Sequence, residues 1–383
     1  MKHDVAVIGL GAMGSATAHE LARRGQRVLG IEAFTPGHQL GSSGGLSRII
    51  RLAYFEHPSY VPLLRAAWAG WHELEELSGE DLILETGGLY AGVRGSDVLD
   101  GAITSARQHE LPHELLDADE VNSRFPAFRL DDDMQAVHEP LAGLLYPERC
   151  IKAQLDLAKA AGADLHFEER VQSWSADAGG SLRIATDKGE YEADRLVLAA
   201  GAWLPTLVPD LHLPLEVERN VLFWFEPGAA KADVIGPDRM PVYIIERDET
   251  HAFYGFPALP DQGLKIARHH GGYAVTPDTI DREATAQDEA PVREFADRYL
   301  PGDAGRRTDS RVCMYTNTPD RNFIIDFHPG NPRVVIASPC SGHGFKFSNI
   351  IGLIAADLAT RGGTDFDIDF LSLERFAAAP GQR

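Results

Sequence analysis

Val5-Ala6-Val7-Ile8-Gly9-Leu10-Gly11-Ala12-Met13-Gly14 is the stretch that decides the fold. A short apolar run ends in Gly-x-Gly-x-x-Gly and passes into Ala12–Arg24, whose spacing suits a helix that Gly25 closes. Val28–Ile31 is a second apolar run, ending at Glu32. Strand, glycine turn, helix, strand and acid make a βαβ unit. The first glycine allows the tight turn, the second lets the backbone approach a pyrophosphate, and the third lets helix meet strand. The helix N-terminus favours anionic phosphates. Glu32 stands where an acid takes the ribose hydroxyls. The reading is a dinucleotide site, and the motif alone does not choose between NAD and FAD.

Outward from this unit, Pro62–Leu77 is predicted as an amphipathic helix carrying Trp68 and Trp71, and Thr86–Val93 as a strand. Cys150–Ala161 reads as a helix and Ala163–Phe167 as a strand. Leu182–Thr186 and Tyr191–Ala193 suggest a hairpin turning at Asp187-Lys188-Gly189, followed by a separate parallel-type strand, Arg195–Ala200. Leu215–Glu226 and Val242–Gly255 have the character of antiparallel strands, with Glu226–Pro241 as a loop and Thr276–Leu300 helical in part. Arg333–Ala337 is an apolar strand, followed by a glycine-bearing loop and a helix over Phe347–Thr360. The tail from Ala377 is expected to fray. The expected fold is α/β plus antiparallel β. A Rossmann-type domain is built from discontinuous segments 1–80, 145–215 and 310–383, with an inserted mixed-sheet substrate domain at 81–144 and 216–309.

The 383 residues suit two or three domains at about 150 each. Lys plus Arg is 36 against 57 Asp plus Glu, a net charge of −21. Such a surface repels phosphate backbones, so nucleic acid is not expected as a partner, and an anionic substrate needs a local basic pocket. Cys150, Cys313 and Cys340 are scattered, with no CxxC or Cys/His cluster that would suggest a metal. Disulfides are not needed at this size, which fits a reducing cytoplasm. Met1 leads straight into the apolar run at Val5, which leaves no room for a signal peptide, and no stretch of about 18 uncharged apolar residues suggests a membrane span.

Gly41-Ser42-Ser43-Gly44-Gly45 fits the hydrolase pattern Gly-x-Ser-x-Gly but is approached through loop, not strand. A loop passing a cofactor is the better reading. Ser47-Arg48-Ile49-Ile50-Arg51 places two arginines three apart, where a helical turn would put them on one face. Two solvated surface arginines are the plain alternative to a buried anion site. Lys265, His269 and Cys313, taken singly, read as ordinary surface or core residues. Gly342-His343-Gly344-Phe345-Lys346 precedes a helix and can present amides and a lysine to a ligand.

Together these segments resemble the monomeric sarcosine oxidase and N-methyltryptophan oxidase family of FAD-dependent amino acid oxidases. The resemblance runs end to end and also includes Tyr254-Gly255-Phe256-Pro257, Cys313-Met314-Tyr315-Thr316, Phe323-Ile324-Ile325-Asp326 and Ser341–Phe347. It implies FAD on Gly9, Gly11 and Gly14, with Glu32 on the adenosine ribose. It implies a thioether from Cys313 to the flavin, with Ser42, Ser47 and the loop Gly342, His343, Gly344 and Lys346 beside the cofactor. Arg51 and Lys346 would take the substrate carboxylate, and Tyr254, His269 and Tyr315 would line the substrate cavity. Arg48 and Lys265 would flank the flavin, with Lys265 serving the reaction with oxygen. Departures from the family pattern are Ser43-Gly44, where His-His is usual, and Pro339-Cys340, where Gly and an apolar residue are usual. The implied reaction is oxidation of an N-methyl amino acid by O2, in a monomeric cytoplasmic enzyme with no metal and no membrane partner. Alternatives are a cyclic or glycated amino acid oxidase, an amine dehydrogenase passing electrons to another carrier, and a non-enzymatic flavin module.

Overall fold

A strand buried on both faces reads as a continuous apolar run, and Val5–Ile8 and Val28–Ile31 follow that rule. In the computed structural model, which describes residues 2–177, 180–228, 231–248, 251–338 and 341–376, they lie in strands Lys2–Ile8 and Val28–Ile31. These pair in parallel, Val7 standing between Gly30 on one side and Val197 on the other. Pro339, Cys340 and the tail from Ala377 fall outside the described residues.

The sheet has eight strands. Its order is Val171–Ala176, Leu182–Thr186, Glu190–Leu198, Lys2–Ile8, Val28–Ile31 and Asp164–His166. Asn331–Ser338 joins Glu190–Leu198, and Ile324–His328 pairs outside it. One expectation is corrected here. The second hairpin strand and the parallel run at 195–200 are a single strand, Glu190–Leu198. Ala193 faces Leu182 antiparallel, while Leu196 faces Val334 in parallel. The half-buried Asp194 and Arg195 break the apolar pattern where the strand enters the core, but they do not break its extended backbone. Helix Ala12–Arg23 packs between helices Pro147–Ala160 and Ser348–Arg361.

The second sheet has nine strands, and among them only Val242–Asp248 and Gly88–Val93 pair in parallel. Strand Ala304–Asn317 runs antiparallel to Glu216–Pro227, setting Cys313 opposite Asn220. Strand Gly263–His269 lies on the other side of Glu216–Pro227 and sets Lys265 between Trp224 and Phe256. Helix Ala286–Tyr299 packs against this sheet and starts with a capping box of Thr285 and Asp288. Its Phe295 stacks on Phe253 at 4.4 Å, within a cluster that includes Phe223, Phe225 and Tyr243.

Arg48–Arg51 is also corrected. It is a strand, not a helical turn, in a three-stranded sheet with Ala142–Leu145 and Ile83–Glu85. The β-branched pair Ile49-Ile50 favours extended backbone, and its pairing partner lies about ninety residues away in sequence, Ile50 facing Gly143. Two residues three apart on a strand leave opposite faces.

Candidate active site

The glycine turn is shaped by close contacts. Gly9 has φ +87°, and a Cβ there would meet the Ala199 carbonyl oxygen at 2.5 Å. A Cβ on Gly14 would lie 1.6 Å from the Gly9 oxygen. Glu32 is buried beside the turn, its Oε2 accepting from Leu10 N at 2.8 Å and its Oε1 from Phe34 N at 3.2 Å. Gly11 supplies no side-chain cap to helix Ala12–Arg23, but Ser43 Oγ accepts from Ala12 N at 3.2 Å. The departure at Ser43 thus sits directly at the phosphate end of the helix. Glu148 fixes the same loop, its Oε1 accepting from Gly45 N at 2.9 Å and Leu46 N at 3.2 Å.

Arg48 and Arg51 emerge into different surroundings. Arg48 donates to the carbonyl oxygens of Ser47 at 2.9 Å, Ser42 at 3.2 Å and Gly44, and its Nη2 stands 3.8 Å from Cys313 Sγ. Arg51 is buried, with its guanidinium carbon 4.3 Å from the Tyr54 ring centroid and 4.2 Å from that of Phe55. Its Nη2 donates to both oxygens of Glu56, at 2.7 and 2.5 Å. Burial pushes the Glu56 carboxyl up, and Arg51, His343 and Lys346 together more than offset this, holding it below the usual carboxylate range. Arg51 therefore already holds a carboxylate through Nη2, while its Nη1 donates to the Ala53 carbonyl at 3.1 Å.

Lys346 is buried close by. Its Nζ donates to the His343 carbonyl at 2.7 Å and lies 5.1 Å from the Tyr54 ring centroid. Trp71 Nε1 donates to the Lys346 carbonyl at 2.9 Å, so helix Val61–Ser78 holds this loop in place. Burial, reinforced by Arg51, pushes the Lys346 ammonium down to about 7. His343 Nε2 must donate to the Arg321 carbonyl, 2.9 Å away, which leaves Nδ1 to accept from the Tyr54 hydroxyl. Burial pushes His343 down to about 4. His269 lies 6.1 Å from Tyr254 and 5.8 Å from Tyr315, ring centre to ring centre, and burial pushes it well below the usual histidine range.

These groups share one cavity of about 240 Å³. Of the residues expected at the site, Gly9, Gly11, Glu32, Ser42, Arg48, Arg51, Tyr254, His269, Cys313, Tyr315, Gly342, His343, Gly344 and Lys346 line it. Gly14, Ser47 and Lys265 do not. Lys265 stands one layer behind, its Nζ donating to Gly45 O at 2.7 Å, Ser47 O at 2.8 Å and Ser47 Oγ at 3.2 Å. Burial, with Arg48 adding to it, pushes its ammonium well below the usual lysine range. Among the described residues no cluster of metal-ligating side chains occurs, and no helix is long and apolar enough to cross a membrane.

One cavity thus runs from a dinucleotide turn to the buried pair Arg51 and Lys346. Residues 4–358 match the family model described as FAD dependent oxidoreductase. The chain belongs to that family. It is 43% identical over 381 residues to a monomeric sarcosine oxidase of Streptomyces avermitilis, covering 99% of each chain. To an N-methyl-L-tryptophan oxidase of Salmonella dublin it is 36% identical over 379 residues, 98% of this chain and 100% of the relative. Among solved structures it is similar to NikD, an amino acid oxidase essential for nikkomycin biosynthesis, at TM-score 0.86 and 26% identity over 97% of each chain. The protein is thus an FAD-dependent oxidoreductase with a fold combining mixed and antiparallel sheets. The residues present fit that cofactor: a glycine cradle that a Cβ would fill, a buried acid beside it, and a cavity continuing to Cys313 and the 342–346 loop.

Tyr54, Glu56 and Glu148 escaped the sequence reading. Glu56 had a signal, since Tyr54-Phe55-Glu56 follows the two arginines closely and brings an acid among aromatic residues. Glu148 had none, because it acts on backbone amides of a distant segment.

Proposed function

We propose that the protein oxidises a secondary N-methyl α-amino acid, with sarcosine as the reference substrate, using O2. A hydrogen on the carbon bound to nitrogen and the N–H hydrogen leave with two electrons, giving an imine that water cleaves to an aldehyde and a primary amine. O2 takes up two electrons and two protons to become H2O2. Bound FAD supplies the two-electron acceptor between these halves; Gly9, Gly11 and Glu32 would hold its nucleotide half, and Arg48, Cys313 and the 342–346 loop its ring.

The observation that carries this reading is the buried pair Arg51 and Lys346 in one aromatic-walled cavity with the dinucleotide turn, in a protein of net charge −21. A free carboxylate is what such a pair selects. It takes over from Glu56 at Arg51 Nη2, or adds to that pair at Lys346. Tyr254, His269 and Tyr315 wall the amine, and exclusion of water there favours its neutral form, the one able to give up hydride. Arg48 in the cavity is a fixed cation available to anionic charge developing on oxygen, and Lys265, one layer behind the Gly45–Ser47 backbone, has an ammonium that burial disfavours and that an anion forming in front of it favours. The names of the relatives above support the same class.

A peroxide assay over N-methyl, cyclic and glycated amino acids tests the class. Sarcosine and sarcosine amide should differ in kcat/KM by an amount equivalent to about 2–5 kcal/mol, because the neutral amide forgoes the charge-assisted contacts to Arg51 and Lys346. Equal rates on the two would remove Arg51 and Lys346 from carboxylate recognition.

A further inference from the structure

Strand Met134–Glu139 ends on a carboxylate that is fully buried and does not line the cavity. Glu139 Oε1 accepts from the backbone N–H of Leu52 and of Ala53, each at 2.9 Å, and Oε2 accepts from the Tyr90 hydroxyl at 2.9 Å. Both sets of contacts bear on Arg51. The Ala53 carbonyl accepts from Arg51 Nη1 at 3.1 Å, and the Tyr90 ring centroid lies 5.7 Å from the guanidinium carbon. The chain leaves its sheet after Arg51, so the next two amides have no ladder partner and need another acceptor. One carboxylate oxygen serves both.

We propose that Glu139 is a positioning residue for recognition of the substrate carboxylate, locking the Leu52–Ala53 peptides and Tyr90 so that Arg51 presents its fork to the cavity. A planar guanidinium binds a carboxylate bidentately only when its plane is set, and small misplacement of such a group is costly. The two anchors reach Arg51 by separate routes: the Ala53 N–H places the residue whose carbonyl holds Nη1, and the Tyr90 hydroxyl places the ring beside the guanidinium. Burial pushes the Glu139 carboxyl up to about 7, while its three donors and Arg51 oppose that rise. The inference rests on the reading of Arg51 given above.

The test is kinetic, on FAD-loaded protein, with sarcosine and sarcosine amide as paired substrates. Glu139→Gln should lower kcat/KM for sarcosine about 10-fold, chiefly through KM, and leave the amide within about 2-fold. In an Arg51→Gln background the same change should cost less than about 2-fold, because its effect is routed through Arg51. Tyr90→Phe, which deletes one donor and keeps the ring, should act in the same direction with a loss of about 2–5-fold; it decides the matter if Glu139→Gln does not fold. Equal losses on acid and amide, or a full loss in the Arg51→Gln background, would overturn the proposal and leave Glu139 a fold residue. If Arg51→Gln itself fails to separate acid from amide, the reading of Arg51 falls, and this proposal with it.

Discussion

Arg48 and Arg51 stand three residues apart in one short strand, yet their partners have nothing in common. Arg48 is wrapped by the carbonyls of Ser42, Gly44 and Ser47 and reaches the sulfur of Cys313. Arg51 is wrapped by Glu56 and aromatic rings. Opposite faces of a strand explain the division, and a helix would have merged the two. Cys313 is buried at the cavity wall, with a fixed cation beside its sulfur, which suits a covalent bond to the bound cofactor. We expect acid-precipitated protein to retain its yellow colour in the pellet and Cys313→Ser to release it to the supernatant. A wild-type pellet without colour would show that the cofactor is held by contacts alone.

The elements differ in how far they depend on distant partners, and that sets how legible each was. Helix Val61–Ser78 was readable to within one residue at each end, because its apolar stripe is local to it and the left-handed Gly79 follows it directly. The turn from Ile8 to Ala12 was equally plain. Strand Arg48–Arg51 was not, since four residues carry little periodicity and its pairing with Ala142–Leu145 is invisible locally. The cations of the site could be named only because several motifs together resemble a family. Glu139 lay beyond reach, since this buried carboxylate is recognised by donors that distant elements bring to it. The glycine turn yields a prediction of its own. In Gly14→Ala the new methyl would meet the Gly9 carbonyl oxygen at 1.6 Å, a backbone atom that cannot swing aside, so helix Ala12–Arg23 must move off the strand. Overpacking of this kind costs about 1–3 kcal/mol or more, and the phosphate end of the helix shifts with it. Purified Gly14→Ala should carry little FAD by its visible absorbance. Gly189→Ala, with nothing within 4 Å of the new atom, should carry the wild-type amount. Full flavin content in Gly14→Ala would refute the close-packing account of the motif.

Across the whole molecule, buried groups that titrate in opposite senses determine how stability depends on pH. Burial pushes His19 down to about 4. Between there and 6.5 the unfolded chain binds the extra proton, so this group makes stability rise with pH. Asp303 works the other way. It is fully buried, neither carboxylate oxygen has a hydrogen-bond partner, and its nearest cation is Lys231 at 3.6 Å. Burial pushes its carboxyl up to about 6, with Lys231 opposing. Between 3.8 and about 6 the folded state holds a proton that the unfolded chain has released, so stability falls as pH rises through that window and stays lower above it. The acidic surface adds self-repulsion in the same direction. Asp303→Asn is neutral at every pH and should remove this loss. Allowing for screening of a group near the surface lysine, the gain at pH 8 is about 1–2 kcal/mol, or roughly 1–4 °C in melting temperature. At pH 4, where the aspartic acid is itself protonated in the fold, the variant should show no gain. Lys231 keeps the Pro126 carbonyl as a partner at 3.2 Å, so loss of its ion pair does not strand it. Melting curves of both proteins at pH 4, 6 and 8 measure the difference directly. A variant equally destabilised at all three would mean that Asp303 serves as a packed, paired anion and not as a buried acid.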